Sequence, residues 1–246
     1  MARRVVGLDG CRSGWVAVTL VAGRLQDLRV VAAAADVLAG APSVLAVDIP
    51  IGLLDGPRDA DAAARAALPG RAASVFSAPA RSVVHGYRDG SLREHAGATA
   101  RSVAAAGTGL SMQSWRLVPK IAEVDALHAG RREEEPALLE VHPEVAFATL
   151  LGEVPPRKTS WPGIAVRRRA LEDRGLILPD RFPGDLDAAP DDVVDAAMCA
   201  WVADGAALGE DLVTLPPVTD QRDRGRPIVI VARRPSAGTP SVPSGA

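Results

Sequence analysis

Over the first fifty residues the apolar positions come in short runs separated by turn residues, a pattern of strands rather than helices. Residues 3–9 (RRVVGLD) form one run, closed by Asp9. The segment GCRSG supplies a turn, and residues 15–21 (WVAVTLV) form a second run rich in β-branched side chains. Ala22-Gly23 marks another tight turn before a third run, LQDLRVV, at 25–31. Three runs joined by short turns predict an antiparallel meander. A brief helix is expected at 32–39. VLAVDI at 44–49 then reads as a buried strand, apolar apart from Asp48 and stopped by Pro50.

Beyond this strand the spacing lengthens. PRDADAAARAAL at 57–68 is rich in alanine, opens on Pro57 and is followed by Gly70, which are start and stop signals of a helix. An ordered loop is expected over 71–87, then helices at about 91–106 and 118–129 and a strand at 137–141. A basic helix at about 162–174, a long helix at about 190–208 and an edge strand at 228–231 complete the pattern. A meander followed by alternating strands and helices predicts an α/β fold, a mixed sheet covered on its faces. Neither a linker nor a repeat divides residues 1–232, which are expected to form a single domain. From Pro235 onward Pro, Ser, Gly and Thr dominate, so 233–246 is expected to be a disordered tail.

Composition narrows the partners. With 28 basic against 30 acidic residues the chain lacks the strongly basic character of a domain that coats itself on nucleic acid. Any such contact must come from a local patch, and Lys158, Arg167, Arg168 and Arg169 form the one local basic concentration. Aromatic residues make up 3%, too few for a long stacking surface. Trp15 and Trp115 are the candidates for ligand contact, whereas Trp161 and Trp201 read as packing. Two cysteines, Cys11 and Cys199, give neither a disulfide framework nor a zinc spacing. Apolar runs fall short of the roughly 20 residues a membrane helix needs, and the N-terminus does not read as a signal peptide. A cytoplasmic protein that makes no use of a membrane is the expectation.

The acidic residues carry the chemistry. Asp9 closes the first strand inside GLDGCRSGW, where Gly7, Gly10 and Gly14 are expected to leave room for a ligand. Asp9 hydrogen-bonding its own turn is the alternative. Asp48 falls near the end of a strand expected to be buried on both faces, where an ionised carboxylate must be paired or metal-bound. If the two strands lie side by side and parallel, a cation between the carboxylates relieves their repulsion. Satisfaction of Asp48 by neighbouring amides or an arginine is the lesser alternative. In APDDVVDAAMCAW (189–201), Pro190, Asp191 and Asp192 suit the first helical turn. Asp195 lies further in, at the margin of an expected buried stripe of Val194, Ala197, Met198, Trp201 and Gly205; Asp192, one turn earlier, is the lesser candidate for the same ion. Glu140, His142 and Glu144 alternate with apolar residues. They are candidates for a further ligand or for proton transfer, or else for a cap and first-turn acid.

The segments GLDGCRSGWVAV, AVDIPIGL, RAASVFSAPAR, SMQSWRLVPKIAEVD, EVHPEVAF, KTSWPGIAVRRRAL and DDVVDAA, in that order, resemble the family known as domain of unknown function 429, described as predicted nucleases of ribonuclease H-like fold. The resemblance covers nearly all of residues 4–232. It implies a five-stranded mixed sheet whose first three strands are antiparallel. It further implies an active site with acids on the first strand, the fourth strand and the last helix, places that Asp9, Asp48 and Asp195 match. By that analogy two magnesium or manganese ions would serve phosphodiester cleavage. Arg71 and Arg81, which bracket the SVFSAP loop, and Lys158 and Arg167 of the basic run are candidate phosphate ligands, an ordinary solvated helix face being the alternative for that run. DNA and RNA remain equally open as substrates. An actin-like phosphotransferase is the alternative enzyme, since GLDGCRSGWVAV can offer backbone amides to nucleotide phosphates, although a second glycine-rich adenosine site is missing. A non-catalytic ribonuclease H-like scaffold is the third reading.

Overall fold

The computed structural model describes residues 2–130, 136–182 and 186–235. The expected meander forms β1 (Arg4–Cys11), β2 (Gly14–Val21) and β3 (Arg24–Val31), paired antiparallel. At the second turn Ala22 and Gly23 both take positive φ, of 51° and 77°, the backbone that tight two-residue hairpins demand. β1 and β2 are apolar on both faces because both are covered, whereas β3 alternates buried and exposed positions, as suits an edge. β4 (Val44–Val47) pairs parallel to β1, and β5 (Ala137–Glu140) parallel to β4. The strand order β3-β2-β1-β4-β5 makes a five-stranded mixed sheet consistent with a ribonuclease H-like fold.

Side chains of β1 alternate between two cores. Val5 packs with α5 (Pro143–Leu151), α6 (Trp161–Glu172) and α7 (Pro190–Leu208) on one face. Val6 and Leu8 pack on the other face with α4 (Met112–Gly130) and a 3-10 turn at Ala34–Gly40. α1 (Asp59–Ala66), α2 (Arg81–Arg88) and α3 (His95–Ala106) complete the helices. Among the described residues no helix is long and apolar enough to cross a membrane.

Several expectations change. The segment 71–87 is a loop only as far as Ala80, after which α2 begins. The expected edge strand is β9 (Ile230–Arg233). It does not extend the main sheet but pairs with β6 (Leu212–Leu215), a strand the apolar pattern did not reveal. A short hairpin of β7 (Arg222–Asp223) and β8 (Arg226–Pro227) lies between them. The tail expected from 233 falls, from residue 236 onward, outside the described residues.

α7 carries no single buried stripe: every residue from Val193 to Gly205 is buried, so Asp195 is enclosed at 1% exposure rather than marginal. Two of the glycines expected to leave room for a ligand, Gly7 and Gly14, serve the fold instead. A Cβ on Gly7 would stand 2.1 Å from the Ala200 nitrogen and 2.2 Å from the Ala196 oxygen, so the backbone of α7 crosses β1 directly over this residue. The space at Gly10 is filled by the Lys120 stem, and that at Gly14 by the Val31 carbonyl. Trp15 is wholly buried, donating from Nε1 to Glu123 Oε2 at 3.0 Å, with the Lys120 ammonium 4.5 Å from its ring centre. Trp161, read as packing, is instead 85% exposed at the start of α6.

Candidate metal centre

Parallel pairing of β1 and β4 brings Leu8 opposite Val47, so the next residues, Asp9 and Asp48, emerge together at the carboxyl ends of adjacent strands. The Asp48 amide closes this end of the ladder by donating to the Leu8 carbonyl at 3.0 Å. The close crossing at Gly7 sets α7 over the same strand end, and Asp195 completes the group. One oxygen from each of the three carboxylates lies within 4.8 Å of the others. Residues separated by up to 186 positions in the chain are thus drawn together by the sheet and one helix.

The three acids are poorly compensated. Asp9 Oδ1 accepts the Gly10 N–H at 2.7 Å, so the turn bond expected as an alternative coexists with membership of the cluster. Asp195 Oδ2 accepts from the Lys158 ammonium, while its Oδ1 is buried without a hydrogen bond among the described residues. Burial, then the charges of Asp48 and Asp195, hold the Asp9 carboxyl well above the usual range. Burial raises Asp48 to about 6 and Asp195 to about 7, although Lys158 pulls both down. Burial would lower Lys158, but Asp195, Asp48 and Asp9 outweigh it and keep the ammonium charged.

The donor set fits a hard dication: three carboxylates supply oxygen ligands and leave a net negative charge that a single lysine does not cancel. The orphaned Asp195 Oδ1 is the atom such an ion would satisfy. Asp192, the lesser candidate, sits at the first turn of α7 and accepts the Ala189 N–H at 3.3 Å, outside the converging group. Its charge still raises both Asp9 and Asp48.

These acids floor a cleft of about 420 Å³. His142 lines it. Burial lowers the pKa of His142, against the pull of Asp195 and Glu144, so the ring is neutral at physiological pH, and its buried Nδ1 has no hydrogen-bond partner among the described residues. Glu144 also reaches the cleft, but its Oε1 accepts from Arg167 at 2.8 Å. Glu140 does not join them. Its Oε2 accepts from Arg58 at 2.5 Å and from the Ile51 N–H at 2.7 Å, an internal ion pair beside the cleft.

The candidate phosphate ligands divide sharply. Arg71 lines the cleft and also donates to the Pro155 carbonyl at 3.2 Å. Lys158 lines it too, bound to Asp195. Arg81 turns instead to Asp223 Oδ1 at 2.7 Å, because that buried acid needs a counter-charge. Arg167 is 1% exposed and spends its guanidinium on Glu144, Pro156 O and Gly163 O. Sequence reasoning missed Arg157, an exposed guanidinium at the cleft with no ion pair or hydrogen bond of its own among the described residues. Its place beside Lys158 in the chain was the available signal. Phe76 and Gln113, also in the lining, had none.

Over residues 7–220 the chain matches the model of a family described as protein of unknown function (DUF429), and it belongs to that family. No curated protein and no solved structure matches it.

Proposed function

We propose that this family member is a divalent-metal-dependent phosphodiesterase acting on nucleic acid, with Asp9, Asp48 and Asp195 holding magnesium or manganese. The observation that carries the reading is the convergence of those three carboxylates, one with a buried, unpartnered oxygen, at the floor of an open cleft. A bound dication supplies Lewis-acid stabilisation of the charge that builds on a phosphate in the transition state. Arg71 and Arg157 at the same cleft match phosphate oxygens with planar N–H forks and hold the backbone in place. Lys158 draws the Asp195 pKa down against the effect of burial and orients the carboxylate. The neutral ring of His142, in the lining of the cleft, serves as the group that takes or returns a proton near the phosphate.

A scaffold reading finds support in one contact, the Lys158–Asp195 pair, in which the lysine stands where a cation is wanted. Cleavage assays separate the two. End-labelled single- and double-stranded DNA and RNA are incubated with the protein and either magnesium or manganese. The phosphodiesterase reading expects metal-dependent cleavage of at least one substrate, lost in Asp48→Asn. Intact substrates in every combination, with a folded protein, favour the scaffold.

A further inference from the structure

A second cleft of similar size, about 420 Å³, lies against the first, and Ala73, Phe76 and Gln113 line both. The two differ in chemistry. The metal cleft presents charge: the aspartates, Arg71, Arg157 and Lys158. Charged groups lining the second cleft are already engaged. Arg58 is paired with Glu140 at 2.5 Å and Asp61 at 3.5 Å. Arg65 donates to Val75 O at 3.1 Å and to Ser77 Oγ at 2.7 Å. What remains free is neutral and polar, namely the Gln113 carboxamide and the Thr108 hydroxyl, neither of which hydrogen-bonds among the described residues.

The partition between the clefts is held firmly. Asp61 Oδ2 accepts the Ala78 N–H at 2.9 Å, Arg65 holds Val75, and Ser114 Oγ donates to the Ser77 carbonyl at 3.2 Å. Half-buried Phe76, packed in part against the core, stands at the divide between these anchored neighbours, with an unengaged carboxamide beside the same two spaces. An aromatic plane and an amide that both donates and accepts are the groups that recognise a nucleobase: one stacks on its face, the other reads its edge. A charged cleft joined to a neutral one across that divide matches the two ends of a nucleotide.

We infer that the second cleft is a nucleobase subsite, so that the metal site acts on a nucleotide whose base is unpaired. Within a duplex both faces of a base are covered and its pairing edge is occupied, which leaves nothing for Phe76 and Gln113 to hold. The inference rests on the phosphodiesterase reading for the position of the phosphate. The base contacts themselves are independent of the metal.

The test is calorimetric titration of the full chain with AMP and with ribose 5-phosphate, each with and without manganese, alongside a manganese thermal shift. AMP is expected to bind at least about tenfold more tightly than ribose 5-phosphate, the share that stacking and one edge contact supply. Gln113→Ala and Phe76→Leu should each reduce that preference while leaving ribose 5-phosphate binding and the manganese shift unchanged. Gln113 is exposed, so its variant reads the subsite even if Phe76→Leu folds poorly. Equal affinity for the two ligands, binding of neither, or a preference intact in both variants would overturn the subsite. Loss of the manganese shift in the parent protein would instead remove the metal reading, with the base preference in metal-free buffer still deciding the subsite.

Discussion

Replacing Gly7 with alanine tests how the site is assembled. The added methyl would meet the α7 backbone at 2.1 Å from Ala200 N, 2.2 Å from Ala196 O and 2.7 Å from Ala200 Cα. Ordinary contact needs about 3.5 Å, so helix and strand must separate by more than about 1 Å. Neither can do so freely, since β1 lies between β2 and β4 and α7 is buried along thirteen consecutive residues. Overpacking against backbone places the loss at the upper end of the usual range, about 3 kcal/mol. For a chain of this size that corresponds to a melting temperature lower by roughly 6–12 °C. The same displacement moves Asp195 away from Asp9, so manganese should stabilise the variant less than the parent. Urea unfolding and thermal melts with and without manganese measure both effects. A Gly7→Ala protein that melts within a degree of the parent and responds equally to metal would refute the claim that this crossing builds the site.

Three further outcomes are expected. Asp48 at about 6, Asp195 at about 7 and a raised Asp9 mean that the metal-free folded state holds protons the unfolded chain releases near pH 4. Their contribution to stability therefore falls as pH rises from about 4 through 7, and manganese should stabilise most above that window. Thermal melts across pH in chelator and in manganese check the sign; a metal-free contribution that rises over the window, read as the parent minus Asp195→Asn, contradicts it. Arg167→Met leaves Glu144 buried without its partner and should lower stability by about 3–5 kcal/mol in urea titration, whereas a purely phosphate-binding arginine would change it little. Trp161→Ala should leave stability within about 0.5 kcal/mol, because the ring is 85% exposed; a larger loss would mean that it packs after all.

The fold was legible where contacts are local. Short turns dictate the β1–β2–β3 meander, and Pro190 with two following aspartates marks the start of α7. Asp9 and Asp48 stood out because a carboxylate closing an apolar strand run needs a reason to be there. The arginines were not legible. Arg167 and Arg169 belong to one run in one helix, yet the first is buried on Glu144 and the second exposed, a difference set by tertiary partners. The same holds for Trp15 and Trp161, and for β6, whose partner β9 lies 15 residues downstream across another hairpin. Gly7 was visible as a glycine, but only the packed helix tells whether a missing side chain admits a ligand or a backbone.

The most direct measurement is a calorimetric manganese titration of the parent chain and of Asp9→Asn, Asp48→Asn and Asp195→Asn, each checked for folding by circular dichroism. Saturable binding in the parent, lost or severely weakened in all three folded variants, is the expected result. A variant at any of these positions that takes up manganese as the parent does would show that the three carboxylates do not share an ion.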